Sequence, residues 1–357
     1  MKIFLICFTV FCLVATLMPL ITSKKWWVRA FDFPHLQISF LSLIAFIALI
    51  FMVDWDNYYD IGLLILLLIA LTYQYSIMHP YTPLAKKQIT ATRIRSSSAS
   101  IRVFSANILQ DNKDFERFLS VFRKANPDIV VLLEANNWWQ EKLKILKEEY
   151  PYSVEYPLEN FYGIILLSKL KLKDTEVKFL VDDKIPSIHG FVQLKNKTWV
   201  KLYCLHPMPP SPTENEKSLD RDAEILIIAK EIRKEDYPII VMGDLNDVAW
   251  SHTTRMFQRI SQLLDPRIGR GFYNTFHADY PLFRWPLDHL FVSDDFKLAE
   301  LKRLKSIGSD HFPMFAELCH GCNREENGSP ENASKEDKAE AKETIENGLE
   351  ENGKSPD

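Results

Sequence analysis

Tyr237-Pro238-Ile239-Ile240-Val241-Met242-Gly243-Asp244-Leu245-Asn246-Asp247 is an apolar run that ends abruptly in a glycine, two carboxylates and an amide. Such a run reads as a buried β-strand. Its polar end sets a carboxylate and an amide at one spot of a sheet edge, where a phosphate and a water can meet. The pattern recurs on both sides of it. Asn107 follows Ile101-Arg102-Val103-Phe104, Glu134 follows residues 129–133, and His206 follows residues 200–205. Asp288-His289 precede Leu290-Phe291-Val292, and Ser309-Asp310-His311 opens the last strand-like run. Polar groups set repeatedly at the ends of apolar strands describe a crevice built for chemistry.

Between these runs the pattern alternates. Phe115, Phe118, Leu119 and Phe122 have helical spacing, residues 138–150 read as a second helix, and residues 163–167 as a strand. Residues 188–194 and 199–205 form a β-pair, and the helix over 216–234 sets Leu219, Ala223, Leu226, Ile227 and Ile232 roughly on one face. Mixed helices and paired strands suit an α/β fold of two packed sheets with helices outside.

Three apolar segments open the chain, 3–22, 36–53 and 61–77. Each approaches the roughly 20 residues a helix needs to cross a bilayer. Trp26, Trp27, Trp55, Tyr58 and Tyr59 flank them as interfacial aromatics do. Residues 1–80 are therefore expected to be a membrane anchor, 81–100 a linker marked by Pro83 and Ser96-Ser97-Ser98, and 101–320 the catalytic domain. Residues 321–357, rich in Glu, Lys, Asn, Ser and Gly, are expected to be a disordered acidic tail.

With three spans, Lys24, Lys25, Arg29, Lys86, Lys87, Arg93 and Arg95 share the side of the catalytic domain, against Lys2 on the other. The positive-inside rule then favours a cytoplasmic domain. Met1-Lys2 before an apolar run also fits a signal peptide or a first span with its N-terminus inside, and either reverses the side.

Of 357 residues, 47% are hydrophobic and 25% charged, and the net charge is −4. Residues 101–320 carry 30 basic and 32 acidic groups. Binding dominated by neutralisation of a nucleic-acid backbone asks for a basic surplus, which this segment lacks. Five cysteines in a chain this long do not suggest a disulfide framework, and Cys319-His320-Gly321-Cys322 lacks the second half of a zinc site, so ordinary thiols are expected.

Taken together, Ser105-Ala106-Asn107, Leu133-Glu134, Leu205-His206-Pro207, Gly243-Asp244-Leu245-Asn246, Leu287-Asp288-His289 and Ser309-Asp310-His311 resemble, in order, the motifs of the endonuclease/exonuclease/phosphatase superfamily. Its best-known fold is that of pancreatic deoxyribonuclease. The resemblance covers about residues 101–320 and implies a four-layer αββα sandwich. It also implies Glu134 as the main ligand of a divalent metal, Mg²⁺ or Mn²⁺, with Asn107 and Asp310 nearby.

Phosphodiester cleavage needs a cation, an activated water in line with the leaving oxygen, and donors to the nonbridging oxygens. Asp244 is suited to orient or deprotonate the water, Asn246 to hydrogen-bond the phosphate, and His206 to be a second imidazole on it. His311 can donate to phosphate or act as acid/base, with Asp288 fixing its tautomer. Either Asp244 or His311 can be the base. His289 is expected to be structural.

Between two of the motifs, residues 271–285 crowd aromatics. Phe272, Arg284 and Trp285 are candidate substrate contacts there, whether by stacking bases, by lying on lipid, or else as plain core. The expected function is a membrane-anchored, metal-dependent phosphoesterase acting on nucleic acid or on a lipid headgroup, with the bilayer and the phosphodiester as its partners and no protein partner. The competing class is a noncatalytic membrane scaffold, whose signature would be a missing metal carboxylate, water-orienting Asp or histidine.

Overall fold

The computed structural model describes residues 2–95, 97–322 and 326–355. Met1, Ser96 of the expected linker, and residues 323–325 and 356–357 of the expected tail lie outside the described residues.

The first helices follow the apolar segments: α1 (Lys2–Leu17), a short α2 (Trp26–Arg29), α3 (His35–Met52) and α4 (Tyr58–Met78). Three of them are long and apolar enough to cross a membrane, with mean hydropathy of 2.6, 2.2 and 2.0. They form a bundle around Cys12, Ala45 and Leu67. Gln74 donates its amide to the Thr16 hydroxyl within it, and Lys2 pairs with Asp60 at the end away from the rest of the chain.

The remaining chain begins with β1 (Ser100–Asn107), α5 (Phe115–Ala125), β2 (Ile129–Leu133), α6 (Asn137–Leu143), β3 (Tyr152–Tyr156) and β4 (Ile164–Ser168). It continues through β5 (Leu172–Lys178), β6 (Ser187–Gln193), β7 (Trp199–Leu205), α7 (Leu219–Ile232), β8 (Ile239–Asp244) and α8 (His252–Ser261). It closes with β9 (Asp288–Val292), β10 (Phe296–Arg303), β11 (Met314–His320) and α9 (Lys335–Glu351). One sheet runs β10-β11-β1-β2-β4-β3 and the other β5-β6-β7-β8-β9. β1 with β2, and β7 with β8, are parallel pairs at the centre of each sheet.

Alternation along the strands separates three layers of core. Ile101, Val103, Ile129, Val131, Leu202, Cys204, Ile240 and Met242 meet between the sheets. Phe104, Val130 and Leu132 face outward onto Phe118, Phe122 and Trp139 of α5 and α6. Tyr203, Val241 and Phe291 face α7 and α8 through Ile225, Ile228 and Phe257. The result is the four-layer αββα sandwich expected from the motifs. The helix read over 138–150 is shorter, because a 3-10 turn at Lys144–Leu146 takes over from α6.

Two expectations are corrected. The tail is not disordered where it is described: α9 begins with a capping box between Ser334 and Asp337 and buries Ala341, Thr344 and Ile345. Gly348 sits so close to α7 that a Cβ there would lie 2.6 Å from the Ala223 methyl. Small side chains bring the two helices together, so a search for large apolar groups passes over the contact. Arg259 clamps Asp337 with two hydrogen bonds, at 2.7 and 2.8 Å.

The linker, too, is built into the domain. Tyr81 and Ile89 are buried, and Thr90 and Thr92 pair with Leu298 of β10, covering the edge of the first sheet. At the end of β11 the side chains of Cys319 and Cys322 meet.

Candidate active site

The alternation that builds the inter-sheet core also aims the polar groups. On β1 the inward series Ile101, Val103 and Ser105 ends in Asn107, and on β7 Leu202 and Cys204 end in His206. On β8 Ile240 and Met242 end in Asp244, and on β9 Asp288 precedes Leu290 and Val292. Each side chain continues its strand's inward series past the apolar residues, so all four converge at one end of the core. Asp244 and Asp288 are register partners across β8 and β9. Gly243 makes this possible: at φ +148° a Cβ would lie 2.0 Å from the Leu205 carbonyl oxygen, so only glycine lets β8 lie this close to β7.

Asp244 is fully buried. Its Oδ1 accepts from the Asn246 backbone N–H at 2.9 Å, its Oδ2 from the Asn107 amide at 3.2 Å, and His311 Nε2 stands 3.5 Å away. Burial raises its pKa and the charge of Asp288 adds to this, while His311 opposes both. His311 donates from Nδ1 to Asp288 Oδ2 at 2.8 Å. Burial alone lowers this imidazole, but Asp288 and then Asp244 outweigh it and push the pKa up to about 10. His206 behaves oppositely: burial brings it down to about 4, so it is neutral, and its Nδ1 is buried without a partner among the described residues. One imidazole is therefore held charged and the other uncharged a short distance apart.

Glu134 follows β2 in a left-handed conformation, φ 59°, which swings its carboxylate back toward the inter-sheet end. Oε1 accepts from the Asn107 amide at 2.7 Å and Oε2 from the Gln110 backbone N–H at 3.3 Å. Burial raises its pKa to about 7, offset in part by Asn107 and His311, while the charge of Asp310 raises it further. No Lys or Arg ion pair reaches Glu134 among the described residues. A half-buried carboxylate whose pKa the neighbouring Asp310 charge raises suits a hard divalent cation. Asp244, Asp288 and His311 also bring ligand atoms within 4.8 Å of one another, but there the charged imidazole already compensates the carboxylates.

Asn107 is oriented as a donor. Its oxygen accepts from the Leu109 N–H at 3.0 Å, and its nitrogen bridges Glu134 and Asp244. Asn246 sits at φ 50° and donates its amide to the Pro207 carbonyl at 2.9 Å, beside His206. Asp310 is tied in by Ser309, whose hydroxyl donates to the Asn107 carbonyl oxygen at 2.8 Å. His289 lies outside the cluster, with its nitrogens engaged by Arg267 at 2.8 Å and the Asp247 carbonyl at 2.9 Å.

The substrate candidates divide. Phe272 is wedged between Tyr81 and Trp250 and belongs to a structural aromatic cluster. Arg284 donates to the His277 carbonyl at 3.1 Å and lies over Phe312. Trp285 stacks on Phe276, and it is Phe276, which the sequence reading passes over, that lies on the His311 ring at 4.9 Å.

Other supporting residues also left little trace in the sequence. The Tyr162 ring lies against His206 at 5.5 Å. Arg221 donates to the Asn246 carbonyl at 2.7 Å and pairs with Asp222 at 2.9 Å and Asp247 at 3.4 Å. An Arg buried on a helix face that hydrophobic periodicity assigns to apolar residues is the one signal that points to it.

A sequence model of the Endonuclease/Exonuclease/phosphatase family matches residues 104–311, which contain all six motifs. Comparison with curated proteins by sequence gave no match. Among solved structures, the human Nocturnin catalytic domain with bound sulfate anion is 17% identical at a TM-score of 0.52, covering 64% of this chain and 96% of that one. D. rerio TDP2 complexed with single strand DNA product is 14% identical at a TM-score of 0.50, covering 62% and 99%. An endonuclease/exonuclease/phosphatase from Beutenbergia cavernae DSM 12333 is 16% identical at 0.50, covering 62% and 72%. At these identities the structural likeness is one of fold.

Proposed function

Because this chain belongs to the endonuclease/exonuclease/phosphatase family, we propose that it is a membrane-anchored, divalent-metal-dependent phosphoesterase that hydrolyses a phosphodiester by in-line attack of water. The observation that carries the reading is the convergence of Asp244, His206 and the Asp288–His311 pair at one end of the core, with Glu134 beside them.

Bound Mg²⁺ or Mn²⁺ supplies charge neutralisation for the phosphate. Glu134 would hold the cation with Asp310 at its side, and Asn107 fixes Glu134 from its amide nitrogen. Asp244 accepts a proton from the attacking water or orients it. His311, charged at neutral pH, donates from Nε2 to the phosphate, while Asp288 holds its tautomer. His206 and Asn246 offer donors to the nonbridging oxygens.

The three apolar helices anchor the domain in a membrane. The packing of α1 against α3 and α4 supports its reading as a resident span rather than a removable signal. The basic residues on the domain side favour a cytoplasmic orientation.

Purified full-length protein assayed on plasmid DNA, RNA, phospholipids, inositol phosphates and a chromogenic phosphodiester, with Mg²⁺ or EDTA, tests the reading. Metal-dependent turnover of at least one substrate is expected. Inactivity on all of them, with no Mg²⁺ or Mn²⁺ binding by calorimetry, returns the chain to a noncatalytic scaffold.

A further inference from the structure

The end of the sandwich that carries the catalytic groups is also the end where the helical bundle docks. The Tyr81 hydroxyl donates to the Ala249 carbonyl at 2.6 Å, the Trp250 indole to the Asp32 carbonyl at 2.7 Å, and Lys24 pairs with Asp222 at 3.2 Å. Ala249 and Trp250 lie a few residues past Asp244, and Asp222 adjoins the Arg221 that holds Asn246. The crevice is thus held against the ends of the spans.

One loop joins the two directly. At its inner side Phe276 lies on His311 at 4.9 Å, and the Ala278 N–H donates to the Asp310 carbonyl at 2.6 Å. At its outer side Trp285 meets Phe33 edge-on at 5.6 Å, and Gln37, in the first turn of α3, donates to the Leu282 carbonyl at 2.7 Å. Between these ties the tip turns outward, with Tyr280 59% exposed, Leu282 78% and Phe283 58%. Leu36 and Phe40 of α3 are exposed as well. Large apolar side chains at a loop tip, continuous with the outer surface of a membrane-length helix, form a surface suited to lipid and not to water. Gln37 lies within about one turn, roughly 5 Å, of the start of α3. The interfacial layer of a bilayer is about 5–8 Å deep on each side, so the loop sits at the level of lipid phosphates.

We propose that the loop over 278–285 rests in the headgroup layer of the membrane that α1, α3 and α4 cross, and that the adjoining site takes as substrate a phosphodiester carried by a lipid of that membrane. The proposal rests on the hydrolase reading above and on reading those helices as spans. The lack of a basic surplus over 101–320 favours lipid over nucleic acid. In the reaction, water oxygen bonds to the lipid phosphorus and one phosphorus–oxygen ester bond breaks. The departing alcohol takes up a proton, leaving a phosphomonoester.

The test uses full-length protein in nanodiscs of phosphatidylcholine, phosphatidylethanolamine and phosphatidylglycerol. An environment-sensitive fluorophore is placed on Leu282→Cys in a Cys7→Ser background, with Tyr237→Cys, at the far end of β8, as control. Nitroxide-bearing lipid should quench the probe at 282 by roughly twofold or more and leave the probe at 237 unchanged, as burial in the headgroup layer requires. Equal, weak quenching at both overturns the membrane contact.

Turnover is then measured on the nanodisc lipids and on a soluble chromogenic phosphodiester. The double variant Leu282→Asp with Phe283→Asp should lose roughly tenfold or more on lipid, as removal of apolar anchoring predicts, and keep its soluble turnover. Cleavage of DNA or RNA with no lipid hydrolysis overturns the substrate class while leaving the hydrolase reading intact. No turnover of the lipids, the chromogenic ester, DNA or RNA removes the hydrolase reading, and this proposal with it.

Discussion

His311 and Asp288 meet at 2.8 Å, Nδ1 to Oδ2, where β9 enters the buried end of the inter-sheet core. Asp288 is the strongest influence raising the imidazole, which therefore carries its proton up to about pH 10. Turnover that needs this proton is retained at neutral pH and lost as pH rises through that value. Asp288→Asn should lower turnover roughly a hundredfold or more, as loss of a histidine-orienting carboxylate does, and move the alkaline limb to lower pH. The double variant with His311→Ala should be little worse than His311→Ala alone, because groups acting as one unit do not add. Multiplicative losses with an unmoved alkaline limb would give Asp288 another task, support of the metal.

Glu134 is expected to be the carboxylate that needs the cation. Glu134→Gln keeps the shape and removes the charge, so activity should fall steeply at low Mg²⁺ and recover in part at high Mg²⁺. Titrating Mg²⁺ against initial rate in the variant and the parent checks this. Full activity at limiting metal would take Glu134 out of the site.

Much of the candidate site was legible because its groups are members of inward strand series. Asn107, His206, Asp244 and Asp288 can be placed by counting in twos from Val103, Cys204, Met242 and Leu290. Groups that act across the chain left no such mark. Phe276 reaches His311, Tyr162 reaches His206 and Arg221 reaches Asn246 from distant segments, and neither periodicity nor spacing encodes such contacts. Phe272 shows why stacking on substrate and plain core both stayed open: an aromatic in a loop looks alike whether it meets substrate or, as here, packs against Tyr81 and Trp250. The acidic end of the chain was misread because composition alone was weighed, while Ser334 and Asp337 spelled a helix start.

Removal of residues 335–357 should therefore destabilise the domain. Burial of Ile345 alone is worth about 1.5–3 kcal/mol, and α9 also supplies the Asp337 partner of Arg259. A fall in Tm of at least about 4 °C in the detergent-solubilised protein is expected, with a smaller fall for Ile345→Ala. An unchanged Tm in both would mean that α9 does not dock in solution.

The proposed cytoplasmic orientation rests on the charges near the ends of the apolar helices. A reporter active only after export, fused to the C-terminal end, should be inactive, because Lys24, Lys25 and Arg29 lie on the domain side. Strong reporter activity would establish an exported domain.

The central claim, that this cluster is a metal-dependent phosphoester hydrolase, is tested most directly by initial rates on a chromogenic phosphodiester with Mg²⁺, Mn²⁺ or EDTA, for the full-length protein and for Asp244→Asn. Turnover with metal, abolished by EDTA and reduced by about 10²–10⁴-fold in the variant, is the predicted result for the loss of a proton-accepting group. Turnover indifferent to EDTA, or a rate unchanged in a folded Asp244→Asn protein, would contradict the account.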